Sequence, residues 1–221
     1  MVRAADDGPQ FGWREVWAGT DASHDVWLLY TGITVAPWSK DIYTDGFRLR
    51  AASGYGQYSY AVKKHKVDPC GGALELPKRV PCEFEWTSYK ADLTYSDALI
   101  GYHQRFGDLT AKAFIGVSVV DHAIHPRDRG NRALGVEFGA KGALEFWLNI
   151  GSDAWTSLDL AYSTAHDTAS ARWRLGYRAL PTVSIGPEAR FDSNAEDHAG
   201  RAGLFARYEW LGGEISVAAG A

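Results

Sequence analysis

The sequence predicts an all-β protein, an antiparallel up-and-down meander that closes as a transmembrane β-barrel. Three observations predict this fold class. Apolar and polar residues alternate with a period of two along most of the chain. The predicted connections between strands alternate between long and short. Aromatic residues and glycine are abundant, with nine Trp, eleven Tyr and 24 Gly. No apolar run approaches the ~18 residues that a transmembrane helix needs.

The alternation is clearest in residues 171–192. Trp173, Leu175 and Tyr177 share one face, whereas Arg172 and Arg174 share the other. A soluble sandwich buries the apolar face, but a membrane barrel turns it towards lipid and lines its lumen with the polar face. This stretch alone fits both architectures, so the connections have to distinguish them.

The pattern predicts eleven strands. They cover residues 11–21, 25–37, 46–62, 86–106, 109–120, 133–150, 155–164, 171–180, 183–192, 201–211 and 214–219. In the strand 86–106 the apolar side changes parity at Asp97-Ala98, which predicts a β-bulge. Bacterial barrels have even strand counts. Either one of the predicted strands should be divided or merged with its neighbour, or a twelfth strand is missing. We favour the second explanation, expect twelve strands in a complete chain, and interpret this chain as clipped at its C-terminus.

The predicted connections at one end of the strands are longer than those at the other end. The third, fifth and ninth are long and polar, whereas the fourth, eighth and tenth are two residues each, at Gly107-Asp108, Pro181-Thr182 and Gly212-Gly213. Long loops at one rim and tight turns at the other are typical of outer-membrane barrels. The second connection, 38–44, is longer than this rule predicts. We expect one barrel domain over residues 1–221, with a flexible segment 1–10 and a long extracellular loop 63–85.

The first nine residues contain no apolar segment of a secretory signal peptide. That alone would indicate a cytoplasmic protein. Together with the barrel pattern, it indicates that a signal peptide has been removed and that the chain resides in the bacterial outer membrane. The two cysteines, Cys70 and Cys82, lie in the same long connection, and we predict that they form a disulfide in an oxidising compartment.

The polar faces of the strands carry many charges. A solvated outer surface would explain them, but in a barrel they predict a narrow lumen crossed by ion pairs. The predicted lumen-lining residues are Arg48, Arg50, Lys90, Asp92, Glu137, Lys141, Glu145, Asp159, Arg172, Arg174, Arg178, Glu188, Arg190, Arg207 and Glu209. We expect Glu137, Glu145, Asp159, Glu188 and Glu209 to pair with some of the arginines and to leave others free.

Several segments resemble the BcsS family of cellulose biosynthesis proteins of alphaproteobacteria. They are WAGTDASHDVWLLYTGITVAPW (17–38), DGFRLRAASGYGQYSY (45–60), LIGYHQRFG (99–107), GVEFGAKGALEFW (135–147), IGPEARF (185–191) and RAGLFARYEW (201–210). The resemblance implies an outer-membrane barrel linked to cellulose synthesis or export. It supplies no catalytic residues.

Two function classes fit these observations. One is an accessory pore for polysaccharide or small solutes. The other is a structural, non-conducting barrel whose loops bind extracellular glucan. In either class the lumen-facing aromatic residues Tyr58, Tyr60 and Trp147 are candidates to stack on sugar rings, and anchoring at the membrane interface explains them equally well. Membrane lipid, cellulose or another glucan, and the synthesis and export machinery are the expected partners. The mild net charge of −4 argues against nucleic acid.

Enzymatic activity is not expected. Asp121-His122, His166-Asp167 and Asp197-His198 are adjacent Asp/His pairs, which are reminiscent of outer-membrane proteases, but polar loops gather these residues by composition. No strand presents the Ser-His pair of a barrel lipase. No calcium-loop spacing, metal cluster or cofactor motif is present in the sequence.

Overall fold

The structure is a computed structural model that describes residues 12–65, 84–196 and 198–221. Eleven strands form one closed barrel, in which each strand pairs antiparallel with its neighbours in sequence. The strands are β1 (Arg14–Ala22), β2 (Val26–Val35), β3 (Gly46–His65), β4 (Phe84–Phe106), β5 (Leu109–His125), β6 (Gly135–Ile150), β7 (Ala154–Ser163), β8 (Thr168–Leu180), β9 (Val183–Ser193), β10 (His198–Trp210) and β11 (Gly213–Gly220).

The barrel closes between its first and last strands. With an odd number of strands in a meander, both run in the same direction, so β1 and β11 pair in parallel, from Val16 opposite Gly213 to Ala22 opposite Ala219. The predicted count of eleven strands is confirmed. Closure does not use the twelfth strand that the even-number rule predicted, and odd barrels have a precedent in a 19-stranded mitochondrial channel.

Strand β4 corrects the predicted bulge. Its pairing with β3 and β5 runs without interruption through Asp97 and Ala98, and the register irregularity lies instead between β8 and β9, at Arg178–Leu180. Tyr89 and Ala91 are buried on the same inward side as Asp97. The alternation of apolar and polar residues gave a wrong prediction of a bulge because apolar residues line the interior in the first half of β4, where they form a small core.

The faces of the barrel differ in polarity. Outward-facing side chains are apolar over most of the wall; Val136, Phe138 and Tyr177, for example, are 61%, 79% and 58% exposed. Inward-facing side chains include the buried Arg174 and Glu188. Because strands alternate their side chains between faces, this is the inverse of a soluble sandwich.

Two connections fold into the barrel. At the rim of short turns, which we call the turn side, residues 36–45 tuck inward, so that Ile42 is buried. This explains why this connection is longer than the rule predicts. At the opposite rim, the loop side, a 3₁₀ turn at Ala165–Asp167 rests on β6 so closely that a Cβ on Gly139 would lie 2.2 Å from the Ala165 nitrogen.

Some predictions concern residues outside the described part of the chain. Cys70 and Cys82, and with them the predicted disulfide, lie there, as do residues 1–10 and most of the predicted loop 63–85. The ends of that loop, Lys63 and Glu85, belong to β3 and β4. Within the described ranges, no helix is long and apolar enough to cross a membrane.

Candidate functional site: a divided, charged lumen

Among the described residues, two cavities of similar size lie within the barrel. The turn-side vestibule, of about 610 Å³, extends from the rim residues Arg105 and Arg178 towards the middle of the barrel. The loop-side vestibule, of about 630 Å³, extends from His24 and Asp25 at the other rim. Six residues line both vestibules and form what we call the central belt. They are Leu28, Tyr95, Lys141, Ala161, Ser170 and Arg190.

Ion pairs hold the central belt in place. The Lys141 ammonium lies 2.6 Å from a carboxylate oxygen of Asp97, whose other oxygen accepts a hydrogen bond from Ser118 at 2.6 Å. Arg190 contacts Asp192 at 2.8 Å and also the buried Asp21. A charge that would be costly alone in the interior is therefore compensated at each cationic belt position.

The charged side chains also bridge opposite walls. Lys112 on β5 reaches Glu15 on β1 at 3.6 Å. Arg172 on β8 donates a hydrogen bond to the Tyr30 hydroxyl on β2 at 2.9 Å. Arg50 on β3 pairs with Glu145 on β6 through both carboxylate oxygens. These residues lie three or more strands apart, so the contacts span the lumen and restrict its free cross-section.

Asp21 is the acidic centre of the wall where the barrel closes. This carboxylate on β1 is 1% exposed and meets three guanidinium groups from β8, β9 and β10. Arg201 lies at 3.1 Å and Arg172 at 3.6 Å, and Arg190 is in direct contact. The cluster ties β1 to strands beyond its parallel partner β11.

The structure places most predicted lumen residues on the inner face. Glu145 contacts Arg50, Asp159 contacts Arg174, Glu188 contacts Arg172 and Glu209 contacts Arg207. Glu137 instead contacts His166 at 3.0 Å. Arg178 donates to the carbonyl oxygens of Ser152 and Ala154 and to Asn149. Arg48 donates to the carbonyl oxygens of Ile42, Thr44 and Phe47, so it anchors the inward connection 36–45.

Two predicted lumen residues lie on the outer face, and this corrects the prediction. Lys90 is exposed. Asp92 accepts hydrogen bonds from Gln57 at 2.6 Å and from Tyr55 at 3.1 Å, both outward-facing side chains of β3. The assignment failed because the inward side of β4 at this level is apolar, with Ala91 buried in a small core. Polar residues had been assumed to face inward along the whole strand.

The three aromatic candidates for sugar stacking are inward-facing, but neighbouring rings pack against them. Tyr60 stacks on Tyr58 and Tyr89, with ring centroids 6.1 and 5.2 Å away. Trp147 stacks on the buried Trp155 at 3.9 Å. Tyr58 and Tyr60 line the loop-side vestibule, and Trp147 lines the turn-side vestibule. The tyrosine cluster therefore supports the wall, and little free ring face remains on Tyr60.

Sequence reasoning missed several functional side chains. The inward positions of β1 and β5 include Glu15, Asp21 and Lys112. The alternation of polar and apolar residues along these strands could have identified them. Asp97 was not assigned to either face, because the apolar side was predicted to change parity at Asp97-Ala98. Tyr43 lies in an irregular connection, where no periodicity indicates direction. Partial burial, followed by the charge of Glu15, raises the pKa of the Tyr43 phenol.

The two adjacent Asp/His pairs that lie wholly within the described residues do not form catalytic dyads. The His122 ring contacts the Tyr58 hydroxyl at 2.9 Å, and the outward Asp121 is not its partner. His166 Nε2 contacts the carbonyl oxygen of Gly135 at 3.0 Å. Asp197 lies outside the described residues. Among the residues that the structure describes, no group of three or more His, Cys, Asp or Glu side chains could hold a metal ion.

The family model for cellulose biosynthesis protein BcsS matches residues 16–221, nearly the whole chain. No curated protein and no solved structure matches the sequence.

Proposed function

The chain belongs to the BcsS family of cellulose biosynthesis proteins, and from that premise we propose that it is a non-catalytic outer-membrane barrel with a closed lumen, accessory to cellulose synthesis and export. The observation that carries the closed lumen is the set of bridges between opposite walls. Lys112–Glu15 and Arg172–Tyr30 cross the interior at 3.6 and 2.9 Å. The inward connections at both rims and the central belt restrict it further.

The outer surface supports insertion in a bilayer. Exposed rings of Phe47 and Tyr102 lie near the turn side, at one edge of the apolar wall, and Trp27 and Tyr55 pack together near the loop side. Phe47 and Tyr55 are eight residues apart on β3, about 27 Å at ~3.4 Å per residue. A strand tilt of ~45° reduces this to about 19 Å, near the ~25 Å apolar band of outer-membrane barrels. Aromatic residues favour both interfaces of such a band.

The first experiment records currents across planar bilayers that contain the purified full chain. We expect no channel current above that of the lipid alone, because the bridges between opposite walls leave no continuous wide path. Stable single-channel steps from the wild-type protein would overturn the closed-lumen proposal. The accessory role is tested separately: deletion of the gene in the host should lower secreted cellulose and leave membrane synthase activity in lysates unchanged.

A narrow pore is the second candidate, because the two vestibules meet at the central belt. If wild type conducts, the arginines of the turn-side vestibule should make the pore weakly anion-preferring. The double variant Arg172→Ala, Arg174→Ala should then shift the reversal potential towards cations. Trp173→Ala, an outward neighbour on the same strand, is the control and should leave the reversal potential unchanged.

A further inference from the structure

We propose that the loop-side vestibule binds the end of a neutral glucan chain. The inference rests on the proposed function in cellulose biosynthesis and gives it a ligand class and a site. At about 630 Å³, the vestibule lies within the ~300–1,000 Å³ range of small-molecule sites.

The chemistry of the lining favours a neutral, polyhydroxylated ligand. Seven serine or threonine residues line the loop-side vestibule, against four in the turn-side vestibule. Its three cationic residues are already paired with carboxylates: Lys141 with Asp97, Arg190 with Asp192, and Arg201 with Asp21. Among the described lining residues, a charged ligand would find no Lys or Arg without a carboxylate partner, whereas sugar hydroxyls can both donate hydrogen bonds to serine hydroxyls and accept hydrogen bonds from them.

An unmet hydrogen bond points to the same ligand class. His122 is 2% exposed and lines this vestibule. Its Nδ1 is 2.9 Å from the Tyr58 hydroxyl, but its Nε2 has no hydrogen-bond partner among the described residues. A buried polar atom without a partner is costly, and such atoms mark positions where a ligand or an ordered water completes the network.

The shape of the vestibule restricts which part of a chain enters. Its inner end is the central belt, where Tyr95, Lys141 and Arg190 line both cavities. If the lumen is closed at the belt, as proposed above, a glucan does not thread through it and only a chain terminus enters the vestibule. The loop-side rim is the one with long connections, which faces the exterior in outer-membrane barrels, and this is the side to which exported cellulose is delivered.

The test titrates the full chain in detergent micelles with cellobiose, cellotriose, cellotetraose and cellohexaose, using calorimetry. We expect saturable binding whose affinity rises with length and then stays within about twofold from cellotetraose to cellohexaose. Absence of binding by wild type would overturn the proposal. An affinity that continues to rise more than about tenfold over that range would overturn the chain-end assignment.

Two variants locate the site. His122→Leu removes both ring nitrogens, and Tyr58→Phe removes only the hydroxyl that faces His122; each should weaken cellotetraose binding about fivefold. Tyr43→Phe is the same chemical change in the turn-side vestibule and should leave the affinity unchanged. Equal weakening by Tyr43→Phe, or none by Tyr58→Phe in a folded barrel, would overturn the assignment. The wild-type protein could fail to bind the oligosaccharides and still give no channel current, and the gene deletion could still lower secreted cellulose. That combination of results would refute this site and leave the proposed function intact.

Discussion

The two vestibules lie along the same strands but are built from different side chains. The turn-side vestibule is lined by nine Lys or Arg residues and six Asp or Glu residues, whereas the loop-side vestibule has three and two. Strand geometry requires only that inward residues alternate with outward ones. The fold therefore leaves the composition of the interior open, and the contrast shows two uses of it: charged bridges that brace the barrel, and a hydroxyl-rich cavity.

The largest expected effect comes from breaking a bridge in the turn-side vestibule. Glu145→Ala removes the partner of Arg50, whose side chain is 10% exposed, and leaves a guanidinium unpaired in the interior. We expect a loss of about 3 kcal/mol in the free energy of unfolding. Urea unfolding in lipid vesicles, followed by tryptophan fluorescence, measures it.

The matched control is Asp192→Ala in the loop-side vestibule, which also removes a carboxylate from an arginine. Asp192 is 40% exposed, so water replaces it, and Arg190 keeps its contact with Asp21. We expect a loss of at most about 1 kcal/mol. Equal losses for the two variants would contradict the contrast between a bracing half and a solvated half.

Local pattern explains what the sequence could predict. Eleven strands and their neighbour pairing follow from alternation and short turns, both of which are local signals. The contact between Arg172 and Glu188 was also within reach, because β8 and β9 form a hairpin. Contacts such as Lys112–Glu15 join strands far apart in sequence, and their level depends on the stagger of the closed barrel. Lys90 was assigned to the wrong face because the inner face of β4 at this level is apolar, so that the usual rule of polar residues inward does not hold there.

A smaller effect concerns the tyrosine cluster on the loop side. The Tyr60 hydroxyl accepts a hydrogen bond from Asn131 at 3.0 Å and donates one to Asp128 at 3.4 Å, which holds the β5–β6 connection over the cluster. Tyr60→Phe should cost about 1 kcal/mol and speed proteolytic cleavage in residues 126–134. Tyr177→Phe, on the outer face, is the control. Unchanged cleavage in Tyr60→Phe would show that the ring stack alone positions the connection.

The smallest effect separates the two faces of the wall. Lys90 is exposed on the outer face of β4, whereas Lys141 lies inside, paired with Asp97 at 2.6 Å. A substitution at an exposed surface position usually changes stability by less than about 0.5 kcal/mol, so Lys90→Ala should unfold like wild type. Lys141→Ala should be clearly destabilised, because Asp97 loses its partner.

A membrane-impermeant amine reagent, with modification read out by mass spectrometry, provides an independent measurement of which face each lysine occupies. Lys90 should be modified rapidly in the native barrel, whereas Lys141, which is 19% exposed and paired with Asp97, should react more slowly until the protein is unfolded. Equal rates for the two lysines in the native protein would contradict the inward placement and the ion pairing of Lys141.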